Sequence, residues 1–190
     1  MPIIVVGGSG KSVGKTALIC GLISALPEFR WTAVKITTHR YGHFQSILEE
    51  PQAGSAIEQE KGTDTARYIA AGAHRSFLIS CEQEETPGVV KDVLARLEPD
   101  ASVLFESNRI VEFLKPDLCL GVVGEIDAST KDSFSMILRD ADALVVSTDS
   151  VAKLDAIAPG TPIFRFATLE SVPPEFLKWM RARLSLGRWT

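Results

Sequence analysis

The chain has 190 residues, 45% of them hydrophobic and 23% charged, which is the composition of a globular protein at the size of one ordinary domain. With 20 Lys and Arg against 24 Asp and Glu the net charge is −4, so the basic surplus of a dedicated nucleic-acid binder is missing. The start Met-Pro-Ile-Ile-Val-Val carries no positive leading segment, and no apolar run approaches the roughly 20 residues that cross a bilayer. The expectation is a cytoplasmic protein with neither a nucleic-acid nor a membrane partner.

Short β-branched runs alternate with longer stretches of helical period, the pattern of an α/β fold: a mostly parallel central sheet flanked by helices in three layers. Strands are expected near Pro2–Val6, Thr32–Thr37, Ser76–Ser80, Ser102–Glu106, Leu118–Val123, Ala143–Ser147 and Pro162–Phe166. Lys15–Leu26 places Leu18, Ile19, Leu22, Ile23 and Leu26 on one helical face and stops at Pro27. Further helices are expected over Thr63–Ala71, Pro87–Leu97, Thr130–Arg139 and Pro174–Leu186, with Gly72 and Pro99 ending the first two of these. The last is amphipathic with a basic face, and packing on the sheet is its default role; Trp179 and its arginines also suit a homodimer contact. Residues 38–62 fit neither period, so one domain over 1–190 is expected to carry a mobile loop there, or else a tolerated surface insertion. Cys20, Cys81 and Cys119 are an odd number without Cys-x-x-Cys spacing and are expected as small buried thiols.

Directly after the first strand stands Gly7-Gly8-Ser9-Gly10-Lys11-Ser12-Val13-Gly14-Lys15-Thr16, leading into the first helix. A strand, a glycine-rich turn and a helix N-terminus bring backbone N–H groups and the positive end of a helix dipole onto one point, which favours an anion. Lys15 supplies charge to β- and γ-phosphates, and the Thr16 hydroxyl suits the coordination sphere of Mg²⁺. The strict pattern asks for glycine five places before Gly14, where Ser9 stands; Gly8 lies six places before, so the loop is one residue longer or turns differently. Lys11 is either a second cation for the phosphates or a solvated lysine on the turn.

Such a loop needs an acid at a neighbouring strand end to hold the metal or its waters. Glu106 ends an apolar strand and is followed by Ser107-Asn108-Arg109, a polar cluster suited to a site rim. Asp64 opens a helix in Gly62-Thr63-Asp64-Thr65-Ala66-Arg67; its alternative is a helix cap worth about 1 kcal/mol. Lys35, inside the apolar Ala33-Val34-Lys35-Ile36-Thr37, either faces an anionic ligand or marks a sheet edge. His39 and His43 have metal-ligand spacing without a third ligand, and His74 reads as a helix-end histidine. The Asn/Thr-Lys-x-Asp signature of guanine binders is met only by Ala152-Lys153-Leu154-Asp155, wrong at its first position, so the base is not legible here.

These residues carry a family resemblance. The loop ending Val13-Gly14-Lys15-Thr16 is similar to that of the dethiobiotin synthetase and cobyrinate amidotransferase families, which also carry an extra loop residue. Asp64-Thr65-Ala66-Arg67 followed by Ala71-Gly72-Ala73, Val34-Lys35 leading to His39, and the strand ending in Glu106 resemble the MobB family, the molybdopterin-guanine dinucleotide biosynthesis adaptor proteins. The chain departs from it in Ile36 for the usual His, in Ser107 for Gly, and in the loop form. The resemblance implies a P-loop NTPase of the signal-recognition and MinD-like class, with dimeric tendency, GTP binding and slow Mg²⁺-dependent hydrolysis, and a molybdenum-cofactor nucleotidyltransferase as partner. Residues Gly8, Ser9, Gly10, Lys11, Ser12, Val13, Gly14, Lys15 and Thr16 then cradle the phosphates, with Lys35 and Arg67 as added charge or a second-ligand contact. Thr16, Glu106 and Asp64 hold the metal, and Lys15, Glu106 and Asp64 do the chemistry. The rival is an ATP-dependent ligase or kinase of the dethiobiotin synthetase type, with Lys35 and residues 37–43 on the substrate; a third reading is a nucleotide-switched binding module.

Overall fold

A computed structural model of the chain describes residues 1–37, 63–124, 130, 132–148 and 158–186. Seven strands, β1 (Ile3–Gly8), β2 (Trp31–Thr37), β3 (Arg75–Ser80), β4 (Ser102–Glu106), β5 (Leu118–Val123), β6 (Ala143–Ser147) and β7 (Ile163–Phe166), form one sheet in the order β3-β2-β4-β1-β5-β6-β7. Every pairing is parallel. Among the described residues the α-helices are α1 (Lys15–Ala25), α2 (Asp64–Ala70), α3 (Thr86–Ala95), α4 (Phe134–Asp140) and α5 (Pro174–Leu186).

Successive strand side chains point to opposite faces, and the two hydrophobic cores follow that period. Ile4 and Val6, Leu104, Leu118 and Leu120, and Ala143 and Val145 pack with α1, α2 and α5, joined by Trp31, Tyr68, Phe176 and Met180. Val5, Val103 and Phe105, Cys119, and Leu144 and Val146 pack with Val90 and Val93 of α3 and Phe134 and Ile137 of α4. Strands covered on both sides have no solvent face, which is why the central ones are apolar throughout. On α5, Phe176 stacks edge-on against Phe164 at 4.8 Å and Phe166 at 5.1 Å, so the apolar face of this helix lies on the sheet.

Three expectations change. The helix expected from Thr130 starts at Phe134, after a turn in which the Ser135 N–H and Oγ both donate to the Asp132 carbonyl at 3.1 and 2.7 Å. Cys81 and Cys119 are buried as expected, but Cys20 is only half-buried because it sits on the flank of α1 between core and solvent. Strand β2 lies between β3 and β4, so the sheet-edge reading of Lys35 is excluded. The expected mobile loop at 38–62, with His39 and His43, and the Ala152-Lys153-Leu154-Asp155 run lie outside the described residues. Among the described residues no helix is long and apolar enough to cross a membrane.

Candidate functional site

In a parallel sheet the strand ends that carry ligands lie on one edge, and the order β2-β4-β1 brings three of them together. The turn after β1 runs into α1 through Gly14, the N-cap, in a left-handed conformation at φ 97°. A Cβ there would lie 2.0 Å from Leu169 Cδ1, so both backbone angle and space demand glycine. Gly8 is required for space alone, since its Cβ would lie 2.8 Å from Val13 Cγ2 and 3.0 Å from Lys15 Cδ. Ser12 is also left-handed, at φ 55°, a backbone strain of the kind that collects at functional turns. No side chain caps the first turn of α1 and none of its residues is acidic, which leaves the helix mouth to an anion. Lys15 curls over the turn and donates to the Gly10 carbonyl at 3.0 Å.

The departure at Ser9 has a structural cause. Ser9 is buried, its N–H donates to Val122 O at 3.0 Å, and its hydroxyl accepts from the Gly124 N–H at 3.0 Å. A glycine could make only the first bond; the serine pins the turn to the end of β5. Asn108 pins its other side: Oδ1 accepts from the Gly8 N–H at 2.7 Å, while Nδ2 donates to Gly8 O at 2.9 Å and to Ser133 Oγ at 3.1 Å.

Strand register then assembles the charged group. Lys35 and Glu106 are direct partners in the β2–β4 ladder, and both point to the α1–α2 face, since Ala33 and Leu104, two residues back, belong to that core. Lys35 Nζ lies 3.4 Å from Glu106 Oε1 and is hydrogen-bonded to Asp64 Oδ2. Glu106 Oε2 accepts from the Thr16 hydroxyl at 2.9 Å and also from the Tyr68 hydroxyl. Asp64 is in the first turn of α2, but the capping itself is done by Thr63, whose Oγ1 accepts from the Ala66 N–H at 3.3 Å. Arg67 is half-exposed, 3.9 Å from Asp64 and 3.6 Å from Glu170. Lys11 is exposed on the turn.

The electrostatics follow from this geometry. Burial by itself would raise the Asp64 carboxyl, but its hydrogen bond to the Lys35 ammonium holds it below the usual carboxylate range. Burial would likewise depress Lys35, and the two carboxylates overcome it and raise the ammonium above its ordinary value. Burial, reinforced by the Glu106 charge, pushes the Tyr68 phenol far up, so it stays a donor.

A cleft of about 610 Å³ opens over this group, lined by Lys11, Lys15, Thr16, Lys35, Asp64, Arg67 and Glu106 together with Thr37, Thr86, Ser107, Asn108, Arg109 and Ser133. Sequence reasoning missed Tyr68, Thr86 and Ser133. Only Tyr68 had a signal: it stands four residues after Asp64, one helical turn along the same face. Among the described residues no three His, Cys, Asp or Glu side chains form a cluster able to hold a metal alone. A hard cation such as Mg²⁺, which takes one or two protein oxygens and completes its shell with phosphate and water, fits the Thr16 hydroxyl and Glu106 carboxylate. His74 lies away from this site, 3.0 Å from Arg30 Nη2 and 3.9 Å from Glu98.

No family model and no curated protein matches the chain. Solved structures do. LpxK from Aquifex aeolicus, solved in complex with ATP, superposes with a TM-score of 0.53 at 20% identity over 94% of this chain. The match takes in 60% of the LpxK chain, so the protein spans under two thirds of that neighbour. HypB from Helicobacter pylori, solved in complex with nickel, superposes with a TM-score of 0.52 at 13% identity over 96% of this chain and 87% of its own. At these identities the likeness is one of fold, a three-layer α/β architecture with a parallel central sheet.

Proposed function

We propose that the protein binds a Mg²⁺–nucleoside triphosphate at the turn between β1 and α1 and catalyses chemistry at its terminal phosphate. The observation that carries this reading is the 2.9 Å hydrogen bond from Thr16 to Glu106. It sets the first hydroxyl of α1 against the acid of the adjacent strand β4, beside Lys15 and an uncapped helix mouth. The N–H groups of that mouth and the Lys15 ammonium take the phosphate oxygens. Thr16 and Glu106 hold Mg²⁺ or its waters, and Tyr68 orients Glu106 from behind. When bound, Mg²⁺ supplies positive charge to the phosphate oxygens as negative charge develops on them. Asp64, held ionised by Lys35, stands ready to position an attacking water. Nothing in this reading needs a covalent enzyme intermediate; positioning and charge stabilisation provide the acceleration.

GTP in preference to ATP, slow hydrolysis, and a place beside a molybdenum-cofactor nucleotidyltransferase complete the proposal. They are supported by the sequence resemblance around Asp64–Arg67 and Ala71–Ala73. Thermal shift with GTP, GDP, ATP and ADP plus Mg²⁺ tests both levels, because a ligand at 100 times its Kd adds about 2.7 kcal/mol of stability. We expect the triphosphates to stabilise the protein, GTP most, and Lys15→Ala to remove the effect. Equal shifts in Lys15→Ala and wild type defeat the phosphate site; a larger shift with ATP defeats only the guanine preference.

A further inference from the structure

The cleft does not end at the phosphate turn. Thr16 and Glu106 mark the place for the terminal phosphate, and the lining of the same cleft also takes in Ser107, Arg109 and Ser133, beside the end of β4 and the start of α4. None of its described lining comes from β5, β6 or β7. We propose that this part of the cleft is a subsite for a second, small and polar ligand bearing a carboxylate or phosphate group that Arg109 grips. The inference rests on the nucleotide reading above and adds to it the class of the second ligand.

Arg109 comes one residue after Asn108, whose amide is bonded to both backbone groups of Gly8. Its backbone is therefore held in fixed relation to the phosphate turn. Among the described residues its guanidinium has one ion pair, to Glu112 at 4.0 Å, the outer limit of such a contact. The forked donor face is thus left for a planar or tetrahedral oxyanion, which accepts two parallel N–H bonds from it.

The neighbouring groups suit the same guest. Ser133 Oγ accepts from Asn108 Nδ2 at 3.1 Å, which leaves its hydroxyl proton to donate. Ser107 adds a second hydroxyl, and among the described residues the cleft is lined mostly by polar and charged side chains. The nearby carboxylates do not repel the anion at full strength, because Lys35 lies between Asp64 and Glu106 and offsets them. The cleft of about 610 Å³ is shared with the triphosphate tail, which limits the second ligand to a small one.

The test uses the full chain loaded with Mg²⁺ and GMP-PNP, or AMP-PNP if adenine is preferred in the thermal-shift series. Succinate and inorganic phosphate are titrated separately by calorimetry and by NMR. We expect one of the two to bind the loaded protein; which one does identifies the anion as carboxylate or phosphate. Arg109→Ala should weaken that binding about tenfold or more, the scale of a lost charge-assisted hydrogen bond, and Arg109→Lys should restore part of it. The inference is overturned if neither probe binds the loaded wild type, or if Arg109→Ala binds the probe as well as wild type. It is also overturned if binding appears only in unloaded protein, since the probe is then in the phosphate turn. Failure of the wild type to load any nucleotide removes the nucleotide reading itself, and this inference with it.

Discussion

Replacing Lys35 by Met keeps most of the length of the side chain and removes the ammonium that lies between Asp64 and Glu106. Breaking a buried ion pair by deleting one partner costs about 3–5 kcal/mol, and an exposed pair is worth at most about 1 kcal/mol. Here the side chains of Lys35 and Asp64 are 21% and 28% exposed and that of Glu106 is 6% exposed, so solvent screens the group only in part. An intermediate loss of about 2–3 kcal/mol at neutral pH is expected, a fall in Tm of roughly 4–12 °C for a chain of this size. The pH dependence gives the sharper test. In the wild type the lowered Asp64 contributes stability in full above its unfolded pKa of about 4, lost as pH falls through the still lower folded value. The raised Lys35 contributes in full below its unfolded pKa of about 10.4, lost as pH rises through the folded value. In Lys35→Met two carboxylates share a site with the half-exposed Arg67, 3.9 Å from Asp64, in place of the ammonium between them, and one of them keeps a proton to higher pH. The deficit should therefore shrink by about half between pH 8 and pH 5. Urea unfolding followed by circular dichroism at a series of pH values measures it, and an equal deficit at both ends of that range would refute the counter-ion role.

Further outcomes follow from the same geometry. Glu106→Gln should keep most of the nucleotide affinity while Mg²⁺-dependent turnover drops about 100-fold, read in a phosphate-release assay; unaltered turnover takes Glu106 out of the chemistry. Gly14→Ala forces a side chain into left-handed backbone and against Leu169, so the unfolding free energy should fall by about 2 kcal/mol and nucleotide binding should be lost; a wild-type Tm with intact binding contradicts this. Asn108→Ala removes both bonds to the Gly8 backbone and should cost about 2 kcal/mol and raise the nucleotide KM, with Asn108→Asp intermediate because it keeps the acceptor toward the Gly8 N–H. If Asn108→Asp is as impaired as Asn108→Ala, that acceptor bond is not what holds the turn.

The seven strands were legible because each carries a short run of apolar residues between turn residues, and the central ones, covered on both faces, are apolar nearly throughout. Their order was not. The insertion of β4 between β1 and β2 is a property of long-range packing, and without it Lys35 could be read as an edge residue as easily as an interior one. The glycine-rich turn from β1 into α1 was legible from local chemistry, whereas the reason for Ser9 was not, since its partner Gly124 lies 115 residues away. Glu106 and Asp64 could be singled out one at a time as acids at element ends. That Lys35 joins them, and that Tyr68 and Thr16 share one oxygen of Glu106, depends on register and on the docking of α2, which no local window contains.

Tyr68 belongs to two worlds at once. Its ring is fully enclosed in the hydrophobic layer with Ile23 and Trp31, while its oxygen ends on the acid at the end of β4. The aim of Glu106 is thereby tied to how well the oily interior on that side is filled. If Glu106 holds the metal as proposed, substitutions there should surface as defects in nucleotide turnover before they surface as unfolding, and the interior becomes a place from which that turnover is tuned.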